Sequence, residues 1–518
     1  MFEVFENSIA RESRQTMEHT HIYLICILGY LGVLTGIAIY QARRVKNKED
    51  FAVAGRSLSP WVMVLTMLAC WIGTGSVVGN AGKTYETGLN AWVLPLGGFL
   101  GMICLAVVAG KTRSIKASSV PEIIGQRFGY VARSLAVLAL VTAYLVIVSY
   151  QFNAGGAVIK VITGDAISEQ NATLLAAVCI ICFASIAGLM SLAYQDVITG
   201  LIITLTLAVA CGIYWTQAGG WSGMEEKFAA MGAHDDYMQP WGKYSAIDII
   251  NFLMPSFLLV LGDANQYQRI FASRDVKGAG TAVSTLIFVS LCVELMIIMA
   301  AWIASSLVEG ADEGKYVLIY AARDYLPLPL SCLFMITIVG IIVSTANSFL
   351  LVPATSFVTD VYFRVFPEKP GTSARANKEV FINRAGVVVF GIIAYGVSLL
   401  FAESETVFEK ALYAFTIYGA SITPTLLAAI LWKRATKAGA ISSIASGAII
   451  SLAWSELIKK DWVQDLFPEN LRFLTNLDAV LPATLVSVTC LVVISLITPN
   501  NSNQSERWDD ETPETAKA

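Results

Sequence analysis

Histidine is nearly absent from this chain: three residues in 518, His19, His21 and His234. All three fall in segments read as non-membrane or at a helix start, which removes a buried histidine metal site and a histidine proton relay. Charge is also scarce. Asp, Glu, Lys and Arg make up 14% of the residues, against about 25% in a soluble domain. The net charge of -4 and the lack of any basic block longer than a short loop argue against nucleic acid as a partner. The nine cysteines (Cys26, Cys70, Cys104, Cys179, Cys182, Cys211, Cys292, Cys332 and Cys490) lie in apolar segments. Apart from the close pair Cys179 and Cys182 they have no metal-ligand spacing, so they read as small core residues and not as a disulfide framework. No nucleophile stands with a base in a recognisable pattern, so an enzyme is the least favoured class. The N-terminus lacks a basic region leading into a short apolar stretch with a cleavage site, and no signal peptide is expected.

What the chain has in abundance is apolar length: 56% hydrophobic residues and a mean hydropathy of +0.63. Crossing the hydrocarbon core of a bilayer takes about 20 apolar residues. By that ruler thirteen transmembrane helices are expected, near 21–42, 60–83, 89–110, 132–162, 168–189, 192–216, 246–270, 279–306, 326–354, 380–402, 406–432, 438–457 and 478–497. An interfacial helix is expected over 119–129 and a loop over 219–244. The polar tail 499–518 reads as disordered. The basic cluster Arg43, Arg44, Lys46 and Lys48 after the first helix reads as cytoplasmic. With the N-terminus outside, most of the Lys and Arg residues fall on the cytoplasmic side, Arg269, Arg274, Lys277, Arg364, Lys433, Arg434 and Lys437 among them. An odd number of helices then puts the C-terminus inside. The expected location is a plasma membrane, of the bacterial inner-membrane kind.

One stretch organises the rest. Val64 to Gly88 starts as a spanning helix and is then loosened by Gly73, Gly75, Gly79 and Gly82, with Thr74, Ser76 and Asn80 at bilayer depth. Glycines in a membrane helix often serve only close helix packing. Four of them with a polar run between point instead to a break, and irregular backbone at that depth survives only in protein or beside a watery cavity. Five helices later the seventh is interrupted too, by Pro255 and Gly262-Asp263-Ala264-Asn265. Paired interruptions in two halves are a pointer to an inverted repeat with its site between them.

Polar residues in the apolar segments supply the candidates. Thr337, Ile341, Ser344, Thr345 and Ser348 share one face of the ninth helix, with Asn347 beside it. Hydroxyls and carbonyls are hard donors suited to alkali and alkaline-earth cations, although such hydroxyls also bond back to their own helix. Asp196, Asp263 and Glu294 are intramembrane acids, at roughly 2.5–3.5 kcal/mol each on insertion scales, and default to a functional role. Asp196 lies near a helix end where water relieves part of that penalty, and Glu294 has bonding to a neighbouring helix as its plainer role. Trp71, beside the first break, could cover a solute or stack on a cation; most membrane Trp and Tyr anchor at interfaces instead.

Several short runs together resemble the sodium:solute symporter family, the sodium-coupled carriers of proline, sugars, sialic acid, pantothenate and choline. They are Phe51-Ala52-Val53-Ala54-Gly55-Arg56, the run from Val78 to Leu89, Ala187-Gly188-Leu189 leading to Tyr194-Gln195-Asp196, Gln268-Arg269, Ile341 to Thr345, and Tyr418 to Pro424. The likeness extends from about Asp50 to Gly439, with Ala187 where the family more often has glycine. The resemblance implies an all-α polytopic membrane protein of the LeuT-like type, a five-plus-five inverted repeat with one extra helix before and two after. The segments would then be an outer N-terminus at 1–20, the extra helix and first cytoplasmic loop at 21–58, the first repeat at 59–218 and an outer loop at 219–245. The second repeat would run over 246–435, the two C-terminal helices over 436–498 and a cytoplasmic tail over 499–518.

The resemblance also implies a Na+ site from the backbone carbonyls of Ala69, Ile72 and Ile341 with the hydroxyls of Ser344 and Thr345. A second Na+ site, present in some members, would use Asp196, Ser344, Asn347 and Ser348, with Asn347 standing where a hydroxyl is found. Ser76 and Pro95 replace the Gln and Glu of the sugar carriers, which argues against a sugar. Trp71-Ile72-Gly73 resembles the choline carriers. The solute contacts expected are Trp71, Thr74, Ser76, Tyr144, Asp263, Asn265 and Tyr267. The expected function is Na+-coupled import of a small amine-type or amino-acid-like solute by alternating access, with the lipid bilayer as surroundings, no organic cofactor, no nucleic acid and no obligatory protein partner. A proton-coupled carrier, a channel and a membrane sensor are the rivals.

Overall fold

The computed structural model describes residues 2–499 except 44–47, 116, 165, 187, 233–234, 311–313, 367–372, 401–405, 459, 465–467 and 469–476. Nearly all of the 499–518 tail, together with Arg44, Lys46, Ala187 and His234, therefore lies outside the described residues. Among the described residues, thirteen helices are long and apolar enough to span a membrane if the one sharply bent pair counts as a single crossing. We number them α1 (Phe2–Ala42), α2 (Pro60–Trp71 and Gly75–Val93), α3 (Leu96–Ser114), α4 (Tyr130–Ile162), α5 (Glu169–Ile186), α6 (Leu189–Ala218) and α7 (Ala246–Gly262 and Ala264–Ala272). The remainder are α8 (Val276–Ser305), α9 (Leu328–Phe357), α10 (Ser373–Leu400), α11 (Val407–Leu431), α12 (Lys437–Ile458) and α13 (Val480–Ile497). Among the described residues there is no strand, only an isolated bridge between Leu58 and Ser273. That bridge joins the start of α2 to the end of α7, through Leu58 N to Ala272 O and Arg274 N to Leu58 O, both at 3.0 Å.

The helices begin where side chains can satisfy their free N–H groups. Ser245 with Asp248 and Thr406 with Glu409 form capping boxes at α7 and α11. Ser119 caps the short helix Val120–Phe128, as expected for the interfacial segment. α2–α6 and α7–α11 each open with a broken helix, the arrangement the paired interruptions predict. α11 is buried along most of its length, whereas the lipid side of α1, α10 and α13 carries exposed Ile, Leu and Val.

Two short helices were not expected. Gly220–Ala230 occupies the stretch read as a loop, held by Met224 and Phe228, which lie four residues apart and are both buried. Val317–Tyr325 sits between α8 and α9. Both are too short for a span, so a search for long apolar runs passes over them. The cysteines divide as well: Cys70 and Cys332 are buried, but Cys104, Cys179 and Cys182 point outward. Core placement thus holds for only some of them, because an apolar thiol is equally at home facing lipid.

Candidate cation and solute site

The first half of α2 ends at Trp71, and the second half resumes with a bend of 51°. The break re-routes its hydrogen bonds. In a continuous helix Gly73 N–H would donate to Ala69 O, yet it turns back to Trp71 O at 2.8 Å. Ser76 N–H would donate to Ile72 O, yet it goes to Gly73 O at 3.1 Å, which Val77 N–H shares. The carbonyls of Ala69 and Ile72 thereby lose their helical donors. These are the two carbonyls assigned to Na+ from the resemblance.

α9 faces them. A Cβ placed on Gly73 would lie 3.2 Å from Thr345 Oγ1, so the missing side chain lets the break approach that hydroxyl closely. Thr345 Oγ1 is buried and has no hydrogen-bond partner. Ser344 donates its hydroxyl proton to Asp196 Oδ1, leaving its oxygen lone pairs to accept or coordinate. Ile341 is buried inside the unbroken part of α9, so its carbonyl keeps a helical donor and has a second lone pair to offer. The donor set is oxygen only, which suits an alkali cation.

The residues of the second cation set are gathered around a side chain instead. Arg269 is fully buried, with its Nη2 3.3 Å from Asp196 Oδ2 and 2.9 Å from Ser348 Oγ. Its Nε reaches Thr66 Oγ1 at 3.2 Å and its Nη1 the Asn265 carbonyl at 3.3 Å. Thr66 also donates to Asp196. Asn347 stays apart, with both amide atoms unpartnered. Two sequence-based readings change here. Asp196 is not relieved by water but fully buried against a guanidinium, and Arg269 is not a cytoplasmic surface charge. Counting Lys and Arg assumes that they sit in loops, and a buried ion pair violates that assumption.

The break of α7 is held by its own network. Asp263 caps the second half, Oδ1 accepting from Asn265 N at 3.1 Å and from the Tyr144 hydroxyl. Tyr418 spans the gap: its hydroxyl donates to Gly262 O at 2.8 Å and accepts from Ala264 N at 3.1 Å. The Tyr144 and Tyr418 rings stack at 5.5 Å. These tyrosines are buried staples, not interface anchors.

Between the two breaks lies a cavity with about 710 Å³ of empty space, open solvent included. Trp71, Ser76, Asp263, Gln151, Glu294 and Thr345 are among the residues that line it. Of the solute contacts expected from the sequence, Trp71, Ser76 and Asp263 thus reach the cavity. Thr74, Tyr144, Asn265 and Tyr267 are packed behind its walls: Thr74 donates to Gln151 Oε1, and the Tyr267 hydroxyl is bound to Leu261 O at 3.1 Å. One end is walled by Leu94, Phe252, Phe408 and Leu412, part of a small apolar cluster with Ala91 and Ile298. Phe252 precedes Asp263 by eleven residues, about 16 Å of helix, so the cavity runs from the breaks toward the end of the bundle where α11 begins.

Glu294 and Gln151 were missing from the expected solute contacts. Glu294 accepts from Ser76 Oγ at 2.6 Å and from Asn80 Nδ2 at 3.3 Å, both on the second half of α2. An acid in the middle of an apolar helix was the available signal. Gln151 carried a weaker one, a lone amide within α4.

The model of the sodium:solute symporter family matches residues 51–447. A sodium/proline symporter of Staphylococcus aureus is 22% identical over 488 residues, 92% of either chain. Among solved structures, a Na+-coupled sialic acid symporter in its substrate-bound outward-open state superposes with a TM-score of 0.76 at 16% identity, covering 92% of this chain and 98% of that one. MhsT in complex with L-phenylalanine superposes with a TM-score of 0.54 at 15% identity, over 85% and 99%. The fold is the LeuT-like one, and the protein is a membrane transporter, not an enzyme. The oxygen set at the α2 break, the paired broken helices and the match over most of the chain agree: this chain belongs to the sodium:solute symporter family.

Proposed function

We propose that the chain imports a small amine-type or amino-acid-like solute together with Na+ by alternating access. The observation that carries this reading is the pairing of two freed carbonyls, Ala69 and Ile72, with the unpartnered Thr345 hydroxyl across Gly73. Na+ bound by these atoms, Ile341 O and Ser344 Oγ ties the break of α2 to α9. Ordering that break sets Trp71 and Ser76 in the cavity wall, so cation and solute favour the same conformation and each raises the affinity of the other.

One Na+ per cycle is the stoichiometry this reading takes. The Arg269 guanidinium lies where a second cation would meet Asp196 and Ser348, and Asp196 acts by orienting Ser344. The chain sits in a plasma membrane with its N-terminus outside and its C-terminus in the cytoplasm, which turns the mouth of the cavity outward. The inward-negative potential then adds about 2.3 kcal/mol per charge for each 100 mV.

Substituting a sodium ligand tests this directly. Ser344→Ala should raise the Na+ concentration for half-maximal transport by about tenfold, as expected for a loss near 1.4 kcal/mol. An unchanged Na+ dependence, or uptake driven by a pH gradient without Na+, would move the coupling elsewhere.

A further inference from the structure

We infer that Glu294 is the specificity-determining charge of the cavity and that the solute is an organic cation with a hydrogen-bond-accepting oxygen. The inference rests on the reading of this cavity as the solute site and narrows its substrate class.

Among the described residues, Asp263 and Glu294 are the two charged side chains that line the cavity, and no Lys, Arg or His lines it. Their situations differ. Asp263 is engaged in capping the α7 break, with two donors on one oxygen. Glu294 comes from α8, an unbroken helix that needs no cap, and is 2% exposed. A carboxylate offers about four acceptor positions; Ser76 and Asn80 fill two of them, and the Trp71 indole N–H is directed at a third. Glu294 therefore keeps acceptor capacity at a cavity wall that holds no compensating positive charge. A buried carboxylate without a counter-charge is unfavourable, and a cationic solute removes that deficit each time it binds.

The other walls fit the same ligand. Trp71 is aromatic surface for an ammonium group. Its ring is seated against Gly98, where a Cβ would come within 2.3 Å of Cζ2. Gln151 lines the cavity with its Nε2 unpartnered, because its Oε1 takes the Thr74 hydroxyl. That donor asks for an oxygen on the solute. A zwitterion could satisfy Gln151 with its carboxylate, but it would bring that carboxylate into a cavity already lined by two acids. An amino-alcohol or choline-type cation meets every group without that conflict.

The test is Na+-dependent ligand binding by the full-length protein in nanodiscs, read as a shift in melting temperature and in tryptophan fluorescence. The probes are choline and ethanolamine as cations, 3,3-dimethylbutan-1-ol as a neutral isostere, and L-proline as a zwitterion. Binding by the cations alone is expected. Glu294→Gln should weaken it by roughly tenfold or more, the loss of one charge-assisted contact. Glu294→Asp should retain the preference for cations, which a merely structural role for this side chain would not explain. The inference is overturned if L-proline or the neutral isostere binds as tightly as the cations, if Glu294→Gln binds them unchanged, or if Na+ binds and neither cation does. Cation binding that is indifferent to Na+ supports the inference and instead removes the Na+ coupling.

Discussion

Two backbone carbonyls and one hydroxyl separate this site from ordinary helix packing. Ala69 and Ile72 became free because Gly73 and Ser76 send their N–H groups elsewhere, and Thr345 was left facing them across a residue with no side chain. If Thr345 Oγ1 is a cation ligand, Thr345→Ala will raise the half-saturating Na+ concentration by about tenfold, while Thr345→Ser restores it; Na+-induced thermal stabilisation measures both. Gly98→Ala is predicted to act on the solute side. Its Cβ would collide with the Trp71 ring, so solute affinity should fall more than Na+ affinity when both are titrated on one preparation. The expected sodium set came from short motifs that carry the family resemblance, and the α2 break and Thr345 that belong to it lie side by side in the fold. The partner of Glu294 was not, because Ser76 lies 218 residues away in sequence and no local pattern encodes that contact. Arg269 was misread for a related reason: its charge is plain in the sequence, but its burial against Asp196 depends on how α6, α7 and α9 pack.

Among the elements, α7 shows how a break is kept open without being loose. Pro255 and Gly262-Asp263 announce the interruption in the sequence. What the sequence does not announce is that Tyr144 and Tyr418, from α4 and α11, hold the two halves in place. Gly262 permits this by its lack of a side chain, since a Cβ there would lie 2.1 Å from Thr423 Oγ1. Thr423 in turn donates to Leu258 O at 2.8 Å. Gly262→Ala should therefore destabilise the protein by about 1–3 kcal/mol, the usual range for overpacking. Adding Thr423→Ala should recover part of that loss in a thermal unfolding series. Equal melting of Gly262→Ala and the parent protein would show that the packing at this break is softer than it looks. The two unexpected short helices teach the complementary lesson. Long apolar periodicity reveals spans, whereas Gly220–Ala230 and Val317–Tyr325 are held by a few buried residues docked onto neighbouring spans.

Across the whole molecule, the cavity extends toward one end of the bundle and the opposite end is tied shut. There Arg133, at the start of α4, pairs with Asp360 just beyond α9, its Nε donating at 2.9 Å. Arg127 reaches the Ala429 and Trp432 carbonyls at 2.7 Å each. Both ties run between the segments 59–218 and 246–435 expected as the two repeats, so a rocking of one segment against the other would part them. Removing one partner of a buried pair typically costs about 3–5 kcal/mol. Asp360→Asn is accordingly expected to loosen that end, with faster hydrogen exchange in the Val120–Phe128 helix and weaker protection by Na+. Unaltered exchange would exclude the pair as part of the closed state.

Whether Na+ bound between α2 and α9 drives solute across the membrane can be read from uptake into proteoliposomes. The purified protein would be offered choline, ethanolamine, amino acids, betaine, sugars, sialic acid and nucleobases, with and without an inward Na+ gradient. Concentrative uptake of an amine-type or amino-acid-like solute is expected only under the Na+ gradient, strengthened by an inside-negative potential. Uptake at equal rate without Na+, or no Na+-stimulated uptake of any solute offered, would contradict that expectation.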